Sequence, residues 1–250
     1  MKLTDSIYYT GVLNPNLRVF DVIMCTEYGT SYNSYVVAGS EKVAVIEAAH
    51  ASFFEYFNDN LKATLGGKSV DYLVLNHTGP DHTGCVAAFL EEFPHITVVT
   101  SQAGAIYIKQ ITNNPDLRLQ IVKDGDVISL GDKTLRFLNA PFLHWPDSMF
   151  TYCPEDEILF SMDAFGQHIA CAARFDDEVD LAIIMDEART YYANIVVPHG
   201  KFVQKALAGA ADLSIKIIAP SHGVIWRRHL REILDAYKGW AVNRVAPKVA

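Results

Sequence analysis

Short apolar runs bounded by Gly, Asp, Asn or Ser recur through the first two thirds of the chain: Leu17–Met24, Ser34–Ala38, Val43–Glu47, Tyr72–Leu75, Thr97–Thr100, Thr134–Leu138 and Ile158–Phe160. Their brevity and their Val, Ile, Leu, Tyr and Phe content predict strands. Apolar positions return at the helical period in Phe53–Ala63, Ala103–Gln110, Val179–Ile195 and His229–Trp240, which predicts helices. Strands dominate the first half and then mix with helices, so the expected class is α/β (α+β), with stacked sheets and helices outside. No repeat, low-complexity tract or linker divides the chain, and the last amphipathic helix runs nearly to its end. A single domain over residues 1–250 is expected.

Composition narrows this only a little. Half of the 250 residues are hydrophobic and a fifth are charged, as in an ordinary globular protein. No apolar run approaches the ~20 residues that cross a bilayer, and the N-terminus lacks a signal-peptide stretch, so a cytoplasmic protein is expected. The net charge of −8 argues against nucleic acid or an anionic membrane as partner. Cys25, Cys85, Cys153 and Cys171 are scattered, with no Cys-x-x-Cys pair. They are expected to be free thiols, buried or half-buried, rather than a disulfide framework or a metal site.

The chemistry begins at Leu75-Asn76-His77-Thr78-Gly79-Pro80-Asp81-His82-Thr83-Gly84, directly after an apolar run. A strand end followed by a Gly-Pro turn projects several side chains toward one point. His77, Asp81 and His82 offer imidazole nitrogen and carboxylate oxygen, donors that suit zinc or iron. Alone, this spacing is equally a helix cap with surface histidines. Further donors stand after other apolar runs: His144 after Leu135–Leu143, Asp163 after Ile158–Met162, and His222 after Ile215–Ala219. Metal-capable side chains at several separate junctions point to a two-metal site. Histidine and carboxylate ligands accept zinc, iron or manganese, so the metal stays open on these grounds.

The sequence resembles the metallo-β-lactamase-type module of flavodiiron proteins, which reduce dioxygen or nitric oxide. Beyond the ligands, the resemblance rests on Gly29–Tyr35, Leu143–Met149, Leu159–His168, Tyr192–Ile195 and Ala219–Arg227, and it covers essentially the whole chain. It implies a metallo-β-lactamase-type αββα sandwich holding two non-heme iron ions with a bridging hydroxide, oxo or peroxide. His77 and His144 would hold one iron, Asp81, His82 and His222 the other, and Asp163 would bridge them.

Two departures bear on function. The family motif reads His-x-Glu-x-Asp-His, and Gly79 stands where the glutamate belongs. Two ferrous ions bring four positive charges against two carboxylates, which should favour an anionic oxygen species; Glu47 or another donor could also fill the gap. The second is that flavodiiron proteins continue into a flavodoxin-like module, whereas this chain shows no such module and no flavin phosphate loop, so no FMN is expected. Together these give the expectation of a dioxygen-binding sensor that forms a lasting peroxide-level adduct. It would resemble the flavodoxin-less oxygen-binding diiron proteins, with a cytoplasmic chemoreceptor or signalling kinase complex as partner. The alternatives are an oxygen or nitric oxide reductase with a separate electron donor, a zinc hydrolase, and a metal-free scaffold. A homodimer is weakly expected.

Other residues have two readings each. Tyr28, Tyr32 and Tyr191 could reach bound oxygen, but packing is favoured. His168 is either close behind the ligands or a surface histidine. His50, His95, His199 and His229 are expected to face solvent. Trp145 should pack beside the His144 turn, and Asp147 should either orient His144 or cap a turn.

Overall fold

The apolar runs pair into two sheets that face one another, as a computed structural model shows for residues 1–243; residues 244–250 lie outside the described residues. The first sheet has six strands in the order β1 (Ile7–Tyr9), β2 (Tyr35–Ala38), β3 (Val43–Ile46), β4 (Tyr72–Val74), β5 (Thr97–Thr100) and β6 (Leu119–Ile121). β1, β2 and β3 are antiparallel, whereas β3 to β6 run parallel. Parallel neighbours need crossovers, and α1 (Phe54–Leu65), α2 (Pro80–Thr83), α3 (Val86–Glu92) and α4 (Gln102–Ile111) supply them. The second sheet runs β7 (Val127–Ser129), β8 (Thr134–Asn139), β9 (Met149–Cys153), β10 (Ile158–Met162) and β11 (Ile217–Pro220), antiparallel until the final parallel pair. α5 (Leu181–Tyr191), α6 (Gly200–Gly209) and α7 (Leu230–Ala241) complete the described helices.

Side chains alternate across a strand, so each inner strand feeds two cores. Val36, Val45, Leu73 and Val98 join the helix-covered core. Their neighbours Val37, Ala44, Ile46, Val74 and Val99 meet Leu135, Phe137, Met149, Ile158 and Phe160 of the second sheet. Strands buried on both faces read as unbroken apolar runs, which is why these were recognisable. The architecture is the expected αββα sandwich.

Several boundaries depart from expectation. Leu17–Met24 is not one strand: Val19–Phe20 pairs with Met24–Cys25 as a tight hairpin. Val22 at its tip is 92% exposed, so an apolar run was no proof of burial here. The strands Ile7–Tyr9, Leu119–Ile121, Val127–Ser129 and Met149–Cys153 and the helices α3 and α6 fall outside the predicted runs. The helix expected over Val179–Ile195 is α5, followed by a π-helical turn at Tyr192–Val196. Cys85 and Cys153 are buried, Cys171 is half-buried and Cys25 is exposed, against the expectation that all four are covered; all are free.

Candidate metal centre

The ligand candidates sit on loops at one end of the sandwich. After β4 the chain turns into α2, whose N1 position is Pro80 and which carries Asp81 and His82. Asp163 follows β10 directly, with Met162 just before it and Phe165 two residues after it both at positive φ (46° and 67°). Such backbone costs non-glycine residues about 1–3 kcal/mol each and clusters at functional sites. His222 follows β11 in the turn Ser221-His222-Gly223. Gly223 has φ +78°, and a Cβ there would lie 1.9 Å from Gln167 Oε1, so only glycine fits. His144 is less direct than expected, because β8 ends at Asn139 and a turn intervenes.

All six predicted residues converge, and they fall into two groups that share Asp163. Asp163 Oδ2 lies 3.6 Å from His77 Nε2 and 3.4 Å from His144 Nε2. Its Oδ1 lies 3.1 Å from His82 Nε2 and 3.4 Å from His222 Nε2. Asp81 Oδ2 completes the second group, 3.4 Å from His82 Nε2 and 2.9 Å from His222 Nε2. One carboxylate thus presents a different oxygen to each group. The second group has four donors and the first has three.

Gly79 is the N-cap of α2, beside the first group. A Cβ built on it would lie 2.9 Å from His77 Nε2 and 2.8 Å from Asp81 Oδ1, so a side chain would point straight among the ligands. Glu47 does not replace the missing carboxylate. Its Oε2 holds His82 Nδ1 at 3.0 Å, and its Oε1 accepts from Asn76 N at 2.8 Å.

Three imidazoles are braced from behind, as ligating histidines generally are. Asp147 stands 3.2 Å from His77 Nδ1 and accepts from both the backbone and the hydroxyl of Thr78 at 2.7 Å. Asp147 therefore orients His77, not His144. His222 Nδ1 donates to Ser31 O at 2.7 Å. Each bond fixes the proton on Nδ1 and leaves Nε2 as the inward donor. Among the described residues no partner meets His144 Nδ1.

Electrostatics fit a cation. Burial pushes the Asp163 carboxyl up, but His82 and His77 outweigh it and hold it well below the usual range. Asp81 is likewise lowered against burial, by His82 and His222. Burial pushes His222 down, yet Asp163 and Asp81 raise it to about 9; His82 is also raised against burial, by Asp81 and Asp163. The buried oxygens thus demand positive charge, which protons supply when no metal does. Asp163 Oδ2 and His222 Nε2 are buried without a hydrogen-bond partner, the latter although Asp81 Oδ2 is close. Atoms so placed aim at a shared point, and the mixed nitrogen and oxygen set suits iron.

The surrounding residues resolve the two-way readings. Tyr191 donates to Asp163 Oδ1 at 2.7 Å, so it is more than packing. Tyr32 is buried and stacks on His50, while Tyr28 is exposed. His168 is buried; its Nδ1 meets Thr30 Oγ1 at 2.8 Å, its Nε2 has no partner, and burial lowers it to about 3. Trp145 packs edge-on against His77 at 5.0 Å and remains partly exposed. His95 faces solvent, but His50, His199 and His229 are half-buried. Nothing in the local sequence marks Ser31, Glu47 or Thr30 as bracing groups.

Comparison with known proteins agrees with this geometry. Residues 30–223 match the model of the ODP family beta lactamase. The nitric oxide reductase of Moorella thermoacetica is 43% identical over 244 residues, covering 96% of this chain and 61% of that protein. The flavodiiron protein of Giardia intestinalis superposes with a TM-score of 0.93 at 33% identity, over 97% of this chain and 59% of that one. For the rubredoxin oxygen:oxidoreductase of Desulfovibrio gigas the TM-score is 0.94 at 31% identity, over 98% and 62%. The chain spans about three fifths of the length of the curated relatives it matches. It belongs to the ODP family of metallo-β-lactamase-type domains, and its relatives are flavodiiron proteins matched over their diiron domain.

Proposed function

We propose that the six residues hold two irons and that the centre reduces a diatomic ligand, dioxygen or nitric oxide, with electrons from a separate donor protein or module. Bound iron would supply electrons to the diatomic and positive charge to the anion it becomes. The observation that carries the reading is the split of Asp163, one oxygen to each donor group, with a donor short on the side of Gly79. This chain's part is to aim four imidazoles, brace three of them, and leave the first group a position that no described side chain takes. Tyr191 holds its proton on Asp163 Oδ1, because burial and that carboxylate push its own pKa well up. Access to the centre runs past His144 and Asp81, whose side chains are 18% and 15% exposed while the other ligands are buried.

Gly79 favours a second reading, in which the diatomic is bound with little turnover and the chain acts as an oxygen sensor. The names of the relatives speak for reductases and oxidases, and the expected chemoreceptor partner gains no support from them. The test is gas consumption by reduced, iron-loaded protein, with and without a reduced flavoprotein or rubredoxin. Sustained consumption with the donor supports the reductase. A single uptake that the donor does not prolong supports the binder, and no reaction with either gas overturns both.

A further inference from the structure

A pocket of about 280 Å³, part-open to solvent beside Ala211 and Lys238, lies between the second sheet and the helices α6 and α7. Its walls are mostly apolar: Leu143, Phe150, Leu159 and Phe165 on the sheet side, with Ala206 of α6 and Ala210 just after it. The space has a cause in the sequence, since α6 and the turn after it read Ala206-Leu207-Ala208-Gly209-Ala210-Ala211, and small residues facing a sheet leave volume that larger ones would fill. Water gains little there. Tyr237 Oη already accepts from Phe165 N at 2.7 Å, and a largely apolar lining favours apolar molecules over water.

Two walls touch the metal loops. Leu143 immediately precedes His144, and Phe165 follows Asp163 by two residues. The polar approach past His144 and Asp81 is thus matched by a mostly apolar pocket that backs onto the same loops. We propose that this cavity is a reservoir for the apolar diatomic gas, which concentrates dioxygen or nitric oxide beside the centre and leaves the polar mouth to protons and water. The proposal rests on the diatomic-reducing function given above.

Two measurements test it together. Crystals of the iron-loaded protein under xenon pressure should show xenon against Leu143 and Phe165. The double variant Ala206→Leu/Ala210→Leu fills the space; it should lose the xenon peak, keep its iron, and bind dioxygen several-fold more slowly in stopped-flow mixing of the reduced protein. Leu207→Phe, a smaller intrusion, should slow binding less, and stands in if the double variant does not fold. No xenon in the wild-type cavity, or an unchanged association rate in a folded and iron-loaded filled variant, overturns the reservoir alone. No reaction of the reduced wild type with either gas overturns the functional reading and the reservoir with it.

Discussion

The two halves of the metal centre are built to different standards. The second group has Asp81, His82, His222 and Asp163 Oδ1, with Glu47 behind His82 and Ser31 O behind His222. The first has His77, His144 and Asp163 Oδ2, with Asp147 behind His77 only. His144 comes off a turn rather than a strand end, is part-exposed, and lacks a bracing partner among the described residues. A closed coordination set holds metal and an open one leaves room for a ligand. The contrast assigns retention to the second half and ligand chemistry to the first.

The sharpest way to break the comparison is to remove the group both halves share. Asp163→Ala should lose both irons, taking the content from two per chain to near none by metal analysis; retention of one would show that the halves are independent. Next in size, His222→Ala should empty the second position while His144→Ala weakens only the first, as read by chelator competition on each variant. Removing a brace should cost less, about 10- to 100-fold in affinity. Asp147→Asn should act on the first metal and Glu47→Gln on the second, and the reverse assignment would contradict the geometry.

A pH effect is smaller but separates empty from filled protein. His222 is raised to about 9 from an unfolded value of about 6.5 by its carboxylates. Its contribution to the stability of metal-free protein is complete below about 6.5 and lost as the pH rises through about 9. The melting temperature of metal-free protein should therefore fall over that interval. Iron-loaded protein should hold steady there, because metal takes the place of the proton. The smallest effect is expected from Tyr191→Phe, which removes one hydrogen bond to a charged group and should cost about 1–3 kcal/mol in denaturant unfolding.

The same contrast explains what could be read from residues alone. His77, Asp81 and His82 are neighbours in sequence, so their spacing advertises them. Asp163 and His222 end apolar strands whose two-faced burial makes them continuous runs, and such runs are easy to see. The braces are another matter: Ser31 meets His222 across 191 positions, and Glu47 meets His82 across 35. Contacts of that range leave no local pattern, and a brace made through a backbone oxygen, as Ser31 makes to His222, leaves none at all. Asp147 had two readings, orienting His144 or capping a turn; it is close to His144 in sequence but meets His77 in space, and it also accepts from the Thr78 backbone. The short hairpin at Val19–Cys25 misled for the opposite reason, since its apolar tip at Val22 and Ile23 is exposed.

The central claim is two unequal iron sites sharing Asp163. Anomalous scattering at the iron edge, from crystals of anaerobically prepared protein, tests it most directly. The account predicts two iron peaks, one enclosed by Asp81, His82, His222 and Asp163, the other bound by His77, His144 and Asp163 with a non-protein ligand on the side of Gly79. A single peak, or a protein side chain occupying that last position, would contradict it.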